Sequence, residues 1–269
     1  TLDNTELQRL MKASPQTISL KLPDDLGQTL ELYQAEVFTP DFKVIATDGR
    51  ILTSDDLAGE MLFYRGIIKG DENSIVSVSL MKDEILISYS DKDGDKRIQK
   101  GVNDTYIAYN KMDRLNVVPY ICGNDKDDND LLDIQDFNRD QILNRSESQK
   151  CATVLVVIDY TAYVANNSNT LMSIKWMAKI WNEVITLYAH EGVLMRVSNV
   201  VIHTSTSNFP YSGNYNTLHD GISQAFNSAY GNSSLGDFKH MMITRFLGGG
   251  VAFQIGGGCY KSKLTCVSS

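Results

Sequence analysis

The sequence predicts an α/β protein, with a β-rich N-terminal domain followed by an α/β domain that has a mixed twisted sheet and two main helices. Three observations predict this fold class. Short alternating apolar and polar segments, separated by turn residues, run from about Ser14 to Tyr109. An acidic stretch of low aromatic content then runs from Gly123 to Lys150. After it, short apolar runs alternate with two amphipathic segments of helical period.

The first part of the chain is typical of strands and tight turns. The segment 74–80 alternates serine with apolar residues, and Asp48-Gly49 and Asp91–Asp95 supply turn residues between such segments. In the acidic stretch, aspartates indicate a solvated linker. We therefore predict three regions: a β-rich domain at 1–123, an acidic linker at 124–150 and an α/β domain at 151–269.

The α/β domain begins with a strand. Val154–Ile158 is a continuous apolar run, typical of a strand buried on both faces. A helix should follow from about Thr170 and end at Gly192, because its apolar residues recur every three or four positions. The remaining elements expected are a strand at 193–202, a helix at 217–230, a short strand at 240–244 and a further strand in the glycine-rich run that follows.

Composition excludes some partners and favours an extracellular location. The formal net charge of -8 opposes binding to nucleic acid or an acidic membrane, since phosphate binding needs clustered Lys and Arg. No apolar stretch reaches the ~18–20 residues of a membrane helix. The chain starts at Thr1, so we expect that a targeting peptide has been removed. Asn-X-Ser/Thr sites also fit a secreted or extracellular protein. A membrane anchor, if the protein has one, is expected in C-terminal regions outside this sequence.

The glycine-rich run at 248–258 is the most informative segment. Glycines that do not open a helix let another backbone approach closely, as strands that bind extended peptides require. We predict an edge strand that binds substrate through its main chain, formed by Gly249, Gly250, Val251, Ala252 and Phe253. The alternative is an irregular loop over the sheet, in which Val251, Ala252 and Phe253 would be poorly placed.

No complete active site can be read from the residues. His190, His203, His219 and His240 are the four histidines, and for each a structural role is favoured over catalysis. His240 lies close to Asp237, and the pair could bind a metal, but a structural histidine whose ring hydrogen-bonds nearby backbone is the favoured interpretation. The glycines at 248–250 do not form a dinucleotide-binding motif, and no phosphate-binding loop follows Asp159. A cytosolic nucleotide-binding protein is therefore disfavoured.

Several segments, in order, resemble the reprolysin-like (ADAM and snake-venom type) metzincin zinc metalloproteases. Tyr64-Arg65-Gly66 and Gly70–Ser74 are similar to the family's propeptide, and Pro119–Gly123 is similar to its cysteine-switch motif with Tyr120 in place of the usual basic residue. The stretch 154–159 and the helix from Thr170 resemble the start of the catalytic domain. Asp237–His240, with the glycine-rich run and Cys259, is similar to the segment just upstream of the zinc-binding helix.

The resemblance implies a propeptide followed by the N-terminal part of a catalytic domain. The family's HExxHxxGxxH motif is not in this sequence. The zinc ligands and the general base are therefore expected beyond residue 269, and the chain alone should be inactive. Calcium is uncertain, because Thr153 stands where some members have an acidic calcium ligand.

The resemblance also implies a role for Cys122. As a thiolate it would be an inhibitory zinc ligand that displaces the catalytic water and keeps the enzyme latent. The alternative is a disulfide, for example with Cys151. Cys259 is expected to pair either with a cysteine beyond Ser269 or with Cys266, so that Cys151, Cys259 and Cys266 are the disulfide candidates.

Two functions of different classes follow. The first is a secreted zinc metalloendopeptidase precursor that hydrolyses peptide bonds by zinc-activated water, acts on protein or peptide substrates and holds its propeptide against its catalytic domain. The second is a non-catalytic secreted binding protein that keeps the front half of the metzincin domain and its peptide-binding edge. A zinc-helix motif after residue 269 supports the first function, and a stop codon there supports the second.

Overall fold

A computed structural model describes residues 3–23, 26–113, 121–122, 151–206, 215–245, 249–252 and 265–268. The chain forms two compact units that are interleaved along the sequence. The first contains the described residues within 1–41, 52–117 and 174–195, and the second those within 42–51, 118–173 and 196–269. The α/β, β-rich fold class expected from the sequence is confirmed.

The described residues within 3–113 contain one α-helix, α1 (Asn4–Ala13), and nine strands. Asp3 caps α1 by accepting hydrogen bonds from the backbone N–H groups of Thr5 and Glu6. The strands are β1 (Thr17–Lys21), β2 (Thr29–Gln34), β3 (Phe38–Ala46), β4 (Ile51–Thr53), β5 (Met61–Ile68), β6 (Asp71–Met81), β7 (Ile85–Asp91), β8 (Gly94–Lys100) and β9 (Tyr106–Asn110). One-turn 3₁₀ helices lie at Asp55–Leu57, Val102–Asp104 and Lys111–Asp113.

Seven of these strands form the sheet of the first unit, in the order β1-β2-β5-β6-β7-β8-β9, with every neighbouring pair antiparallel. The alternation in β6 gives this sheet two different faces. Val76, Val78 and Leu80 point into an apolar core that also contains Leu7 and Met11 of α1. The serines between them lie on the opposite face, together with Ser88 of β7.

The N-terminal part ends with β10 (Ile121–Cys122), and the C-terminal part begins with β11 (Ala152–Ile158). It continues through α2 (Tyr160–Ala165), α3 (Thr170–His190), β12 (Met195–Ile202), α4 (Tyr215–Tyr230), β13 (Phe238–Met242), β14 (Gly249–Ala252) and β15 (Thr265–Ser268). Gly192 follows α3 with a φ of +77°, the left-handed conformation that favours glycine after a helix. The helices and strands expected between residues 154 and 242 are all present, with ends shifted by a few residues.

The second sheet has eight strands in the order β10-β14-β15-β13-β11-β12-β3-β4. It is mixed, as expected: β11 pairs parallel with β13, β13 parallel with β15, and β14 antiparallel with β15. The run 154–158 in β11 is at most 1% exposed, so this strand is buried on both faces. One of its apolar clusters contains Leu155 and Val157 of β11 with Ile222 and Phe226 of α4.

Two strands from early in the chain, β3 and β4, belong to this second sheet, which the sequence did not predict. The hairpin β3–β4 turns at Asp48-Gly49, where Gly49 has a φ of +93° and its N–H donates to the carbonyl of Ala46. It lies beside β12. The predicted boundaries at 1–123, 124–150 and 151–269 stay a prediction, and the predicted linker lies outside the described residues.

Within the first unit, residues of α3 form hydrogen bonds with the face of the first sheet that carries Ser77, Ser79 and Ser88, called here the serine face. Asn182 is fully buried, and its side-chain amide donates to the carbonyl of Val78 and to Ser79 Oγ, at 3.1 Å each. Ser88 Oγ donates to Glu183 Oε1 at 2.8 Å, and Arg97 forms an ion pair with the same carboxylate. A serine-rich sheet face can be buried here because the helix offers it hydrogen-bonding groups.

None of the helices in the described ranges is long and apolar enough to span a membrane.

Replacing Asn182 by Ala should lower the free energy of unfolding by about 1–3 kcal/mol, because it removes both buried hydrogen bonds. Chemical denaturation monitored by circular dichroism measures the change. The matched control is Leu187→Ala on the same helix, where the side chain is 54% exposed and the change should stay within about 0.5 kcal/mol. Equal effects of the two substitutions would contradict this account of the serine face.

Candidate functional site

The predicted substrate-binding segment forms a strand, β14, in the second sheet. On one side β14 pairs antiparallel with β15, with Gly250 opposite Ser268 and Ala252 opposite Cys266. On the other side it pairs parallel with β10, with Ile121 opposite Gly249 and Cys122 opposite Gly250. Phe253 lies outside the described residues. Its neighbours Gly249, Gly250, Val251 and Ala252 lie in the strand, so the alternative of an irregular loop does not hold for these four.

The strand β10 takes the outermost position beside β14. Among the strands described for 151–269, β14 is the last one on that side, and the two residues of β10 cover its outer edge. Ile121 and Cys122 belong to the segment that resembles a cysteine switch. The segment predicted to block the enzyme and the segment predicted to bind substrate are therefore neighbouring strands. The metal-binding role of Cys122 and the substrate-binding role of β14 stay predictions.

A polar cluster next to β14 was not predicted from the sequence. His240 of β13 lies opposite Cys266 of β15, and its ring bonds both neighbours on that strand. The distances are 2.8 Å from Nδ1 to Cys266 Sγ and 2.8 Å from Nε2 to Ser268 Oγ. The register of two parallel strands creates this cluster, so only the long-range pairing could reveal it.

Burial keeps this cluster uncharged near neutral pH. It lowers the pKa of the His240 imidazole to about 4 and raises the pKa of the Cys266 thiol to about 12. The neutral ring donates from one of its two nitrogens and accepts at the other, and the Cys266 thiol also lies 3.7 Å from the carbonyl of Lys239. Cys266 is a free thiol, which opposes one of the two alternatives expected for Cys259, the pairing with Cys266. The ring of His240 bonds side chains of β15, whereas bonds to nearby backbone were expected.

Asp159, at the C-terminal end of β11, joins three segments near the glycine-rich run. Its Oδ1 accepts hydrogen bonds from the backbone N–H of Ala162, at 2.9 Å, and from Thr161 Oγ1, at 2.7 Å, and so caps α2. Its Oδ2 lies 3.6 Å from the guanidinium of Arg245. Burial raises the pKa of this carboxyl, while the bonds from Thr161 and Ala162 oppose the change. An aspartate directly after a buried strand was the available signal in the sequence.

The other singled-out residues have structural contacts or lie within helices. His203 Nε2 lies 2.9 Å from the hydroxyl of Tyr230, and burial lowers the pKa of its ring. His190 is exposed at the end of α3, and His219 lies within α4. Cys151 directly precedes β11, with its Sγ 3.7 Å from the carbonyl of Ala152. Cys259 lies outside the described residues.

The described residues contain no group of three or more His, Cys, Asp or Glu side chains that could hold a metal ion. Thr153, which stands at the doubtful calcium position, donates from both its N–H and its hydroxyl to Asp237 Oδ2, at 2.9 and 2.8 Å. This carboxylate thereby joins the starts of β11 and β13. The described part of the chain thus contains no set of side chains that fits a zinc ion.

Comparison with known proteins adds little to this picture. No family model matches the chain, and no curated protein matches it. Among solved structures, the chain is similar to the crystal structure of metalloproteinase-II from Bacteroides fragilis. The TM-score is 0.38 and the identity 10%, and the match covers 94% of this chain and 74% of that chain. A TM-score this low carries no argument about family or activity, so the function has to be argued from this chain's own residues.

Acid should destabilise the protein through His240. Because the folded-state pKa of His240 lies below its usual 6.5, its contribution to stability is present above pH 6.5 and is lost as the pH falls towards about 4. The loss should amount to at most about 3 kcal/mol in the free energy of unfolding. His240→Gln, which does not titrate, should flatten this part of the stability profile, whereas the exposed His190→Gln should not. Identical profiles of His240→Gln and the unmodified protein would contradict the prediction.

Proposed function

We propose that this chain is the N-terminal part of a secreted zinc metalloendopeptidase precursor of the reprolysin-like type. Residues 1–123 act as its propeptide and residues 151–269 as the front part of its catalytic domain. The zinc ligands belong to residues after Ser269 in this proposal. Zinc, once bound there, would polarise the scissile carbonyl and lower the pKa of its water.

One observation carries the proposal: Ile121 and Cys122 pair with Gly249 and Gly250 at the outer edge of the C-terminal strands. A strand with a free edge can bind an extended peptide through its main-chain N–H and C=O groups. Here the same chain provides that extended segment. A substrate peptide can bind beside β14 only when β10 has left, and this competition for one edge is what latency requires.

Cys122, in this segment, could block the enzyme in a second way, by binding the zinc ion. The segment that covers the peptide-binding edge carries a thiol donor, and a thiolate is a strong zinc ligand. Held beside β14, Cys122 would be close to the active centre of such an enzyme. The proposal therefore assigns it the inhibitory role, in place of a structural disulfide with Cys151.

A pair of substitutions tests this assignment in the natural gene product, with whatever residues follow Ser269. Cys122→Ser should raise basal proteolysis of an unstructured protein such as casein at least about tenfold, because the thiolate ligand is lost. Cys151→Ser is the matched control and should leave latency intact. The zinc content of the purified protein, measured by mass spectrometry, should be about one ion per chain.

Each alternative gives a different result in the same experiment. A disulfide between Cys122 and Cys151 would make the two variants behave alike. A natural product without bound zinc and without proteolysis in any variant would contradict the proposal, and would leave the non-catalytic peptide-binding protein as the remaining function.

A further inference from the structure

The N-terminal part of the chain covers the C-terminal strands at both edges. The strands described for 151–269 follow the order β14-β15-β13-β11-β12 within the second sheet. Beyond β14 lies β10, and beyond β12 lies the hairpin β3–β4. Both flanking segments precede residue 123. A strand edge left without a partner exposes unpaired backbone groups and invites association with other chains, so both coverings matter for the second unit.

The covering beside β12 is extensive and apolar. β3 spans Phe38–Ala46 and is paired on both sides, with β12 and with β4. Phe42, Val44 and Ala46 are at most 2% exposed. Ile45 packs against the cluster that contains Leu155 and Phe226. Side chains of β3 are thus part of the core of the second unit, and removing them would expose apolar surface to water.

Hydrogen bonds continue this contact past the end of β3. The N–H of Thr47 donates to the carbonyl of Ile202 at 2.9 Å, and the N–H of Thr204 donates to Thr47 Oγ1 at 3.0 Å. The turn at Gly49 then returns the chain as β4. This covering therefore combines main-chain pairing, side-chain hydrogen bonds and buried apolar residues.

The covering described beside β14 is shorter. Within the described residues, Ile121 and Cys122 pair with β14 over two residue pairs. Each hydrogen bond of such a ladder adds little net stability. Over the part of the chain that the structure describes, β10 is thus the shorter of the two pairings, although both come from the same N-terminal part of the chain.

We propose that the hairpin β3–β4 is a permanently donated part of the second unit, whereas β10 is a releasable one. A break in the chain between residues 124 and 150 would then free Cys122 from β14 and open that edge. The same break would leave the N-terminal fragment bound through β3, and also through the bonds of its first sheet to α3. The N-terminal part is thus a retained subunit of the cleaved protein and is not shed. This inference rests on the proposed function for one point only, that the opened edge of β14 binds substrate.

The experiment uses the full chain with one recognition sequence for a site-specific protease placed between residues 124 and 150. After cleavage, the two fragments should co-elute from a gel-filtration column as a 1:1 complex. They should still do so in about 1 M NaCl, where the screening length falls to ~3 Å and surface ion pairs are weakened. Separation of the fragments, at low or high salt, would overturn the proposal.

Substitutions in β3 test the strand as an attachment. Val44→Asp places a charge at a buried position and should weaken the complex of the cleaved fragments, whereas Lys43→Asp, on the exposed side of the same strand, should not. Lys179→Glu breaks the ion pair between α3 and Glu84 and should leave the complex intact. Separation with Lys179→Glu alone would show that ion pairs, and not β3, hold the fragments together.

Hydrogen exchange tests both halves of the proposal without any β3 variant. The protein is cleaved between residues 124 and 150, with residues 38–53 left unsubstituted. Peptides that contain residues 42–46 should then keep the protection they have in the intact chain. Peptides that contain Ile121 and Cys122 should exchange at least about tenfold faster. Loss of protection at 42–46, or unchanged protection at 121–122, would contradict it. No readout depends on zinc or proteolysis, so this result and the test of the proposed function stand separately.

Discussion

Backbone groups at the edges of a sheet need hydrogen-bond partners, and this requirement governs the arrangement of the second unit. Its C-terminal strands end at β14 on one side and at β12 on the other, and segments that precede residue 123 pair with both. Because those segments must reach two opposite edges, the sheet cannot be assigned to the C-terminal region alone. Latency, in the function we propose, follows from this pairing: the edge that would bind a substrate is already occupied.

The two faces of the first sheet satisfy a different requirement. One face packs apolar side chains against α1, and the other presents serines that bond to polar side chains of α3. Burying hydroxyl groups is costly unless they are paired. Asn182 and Glu183 supply that pairing for Ser79 and Ser88. The apolar face gives this unit its core, while the polar face depends on the bonds that a helix from the C-terminal part provides.

Features with a strong local signal could be predicted from the sequence. The apolar run at 154–158 indicated a strand, the periodicity after Thr170 indicated a helix, and both are present. The strand at Gly249–Ala252 was also predicted, because glycines and apolar residues together suit a paired strand. The sequence could not show which of the two sheets β3 joins, because its local pattern of residues suits either sheet. The cluster of His240, Cys266 and Ser268 depends on the register of β13 and β15, and distant residues set that register.

The pairing of β10 with β14 is the claim on which latency and the asymmetry of the two edges both depend. Nuclear Overhauser effects in the deuterated intact chain measure it most directly, because amide protons of paired strands lie within a few ångströms of each other. The account predicts cross-strand contacts that link residues 121–122 with residues 249–250, in the parallel register. Contacts of residues 121–122 with another part of the chain instead, or none with 249–250, would contradict it.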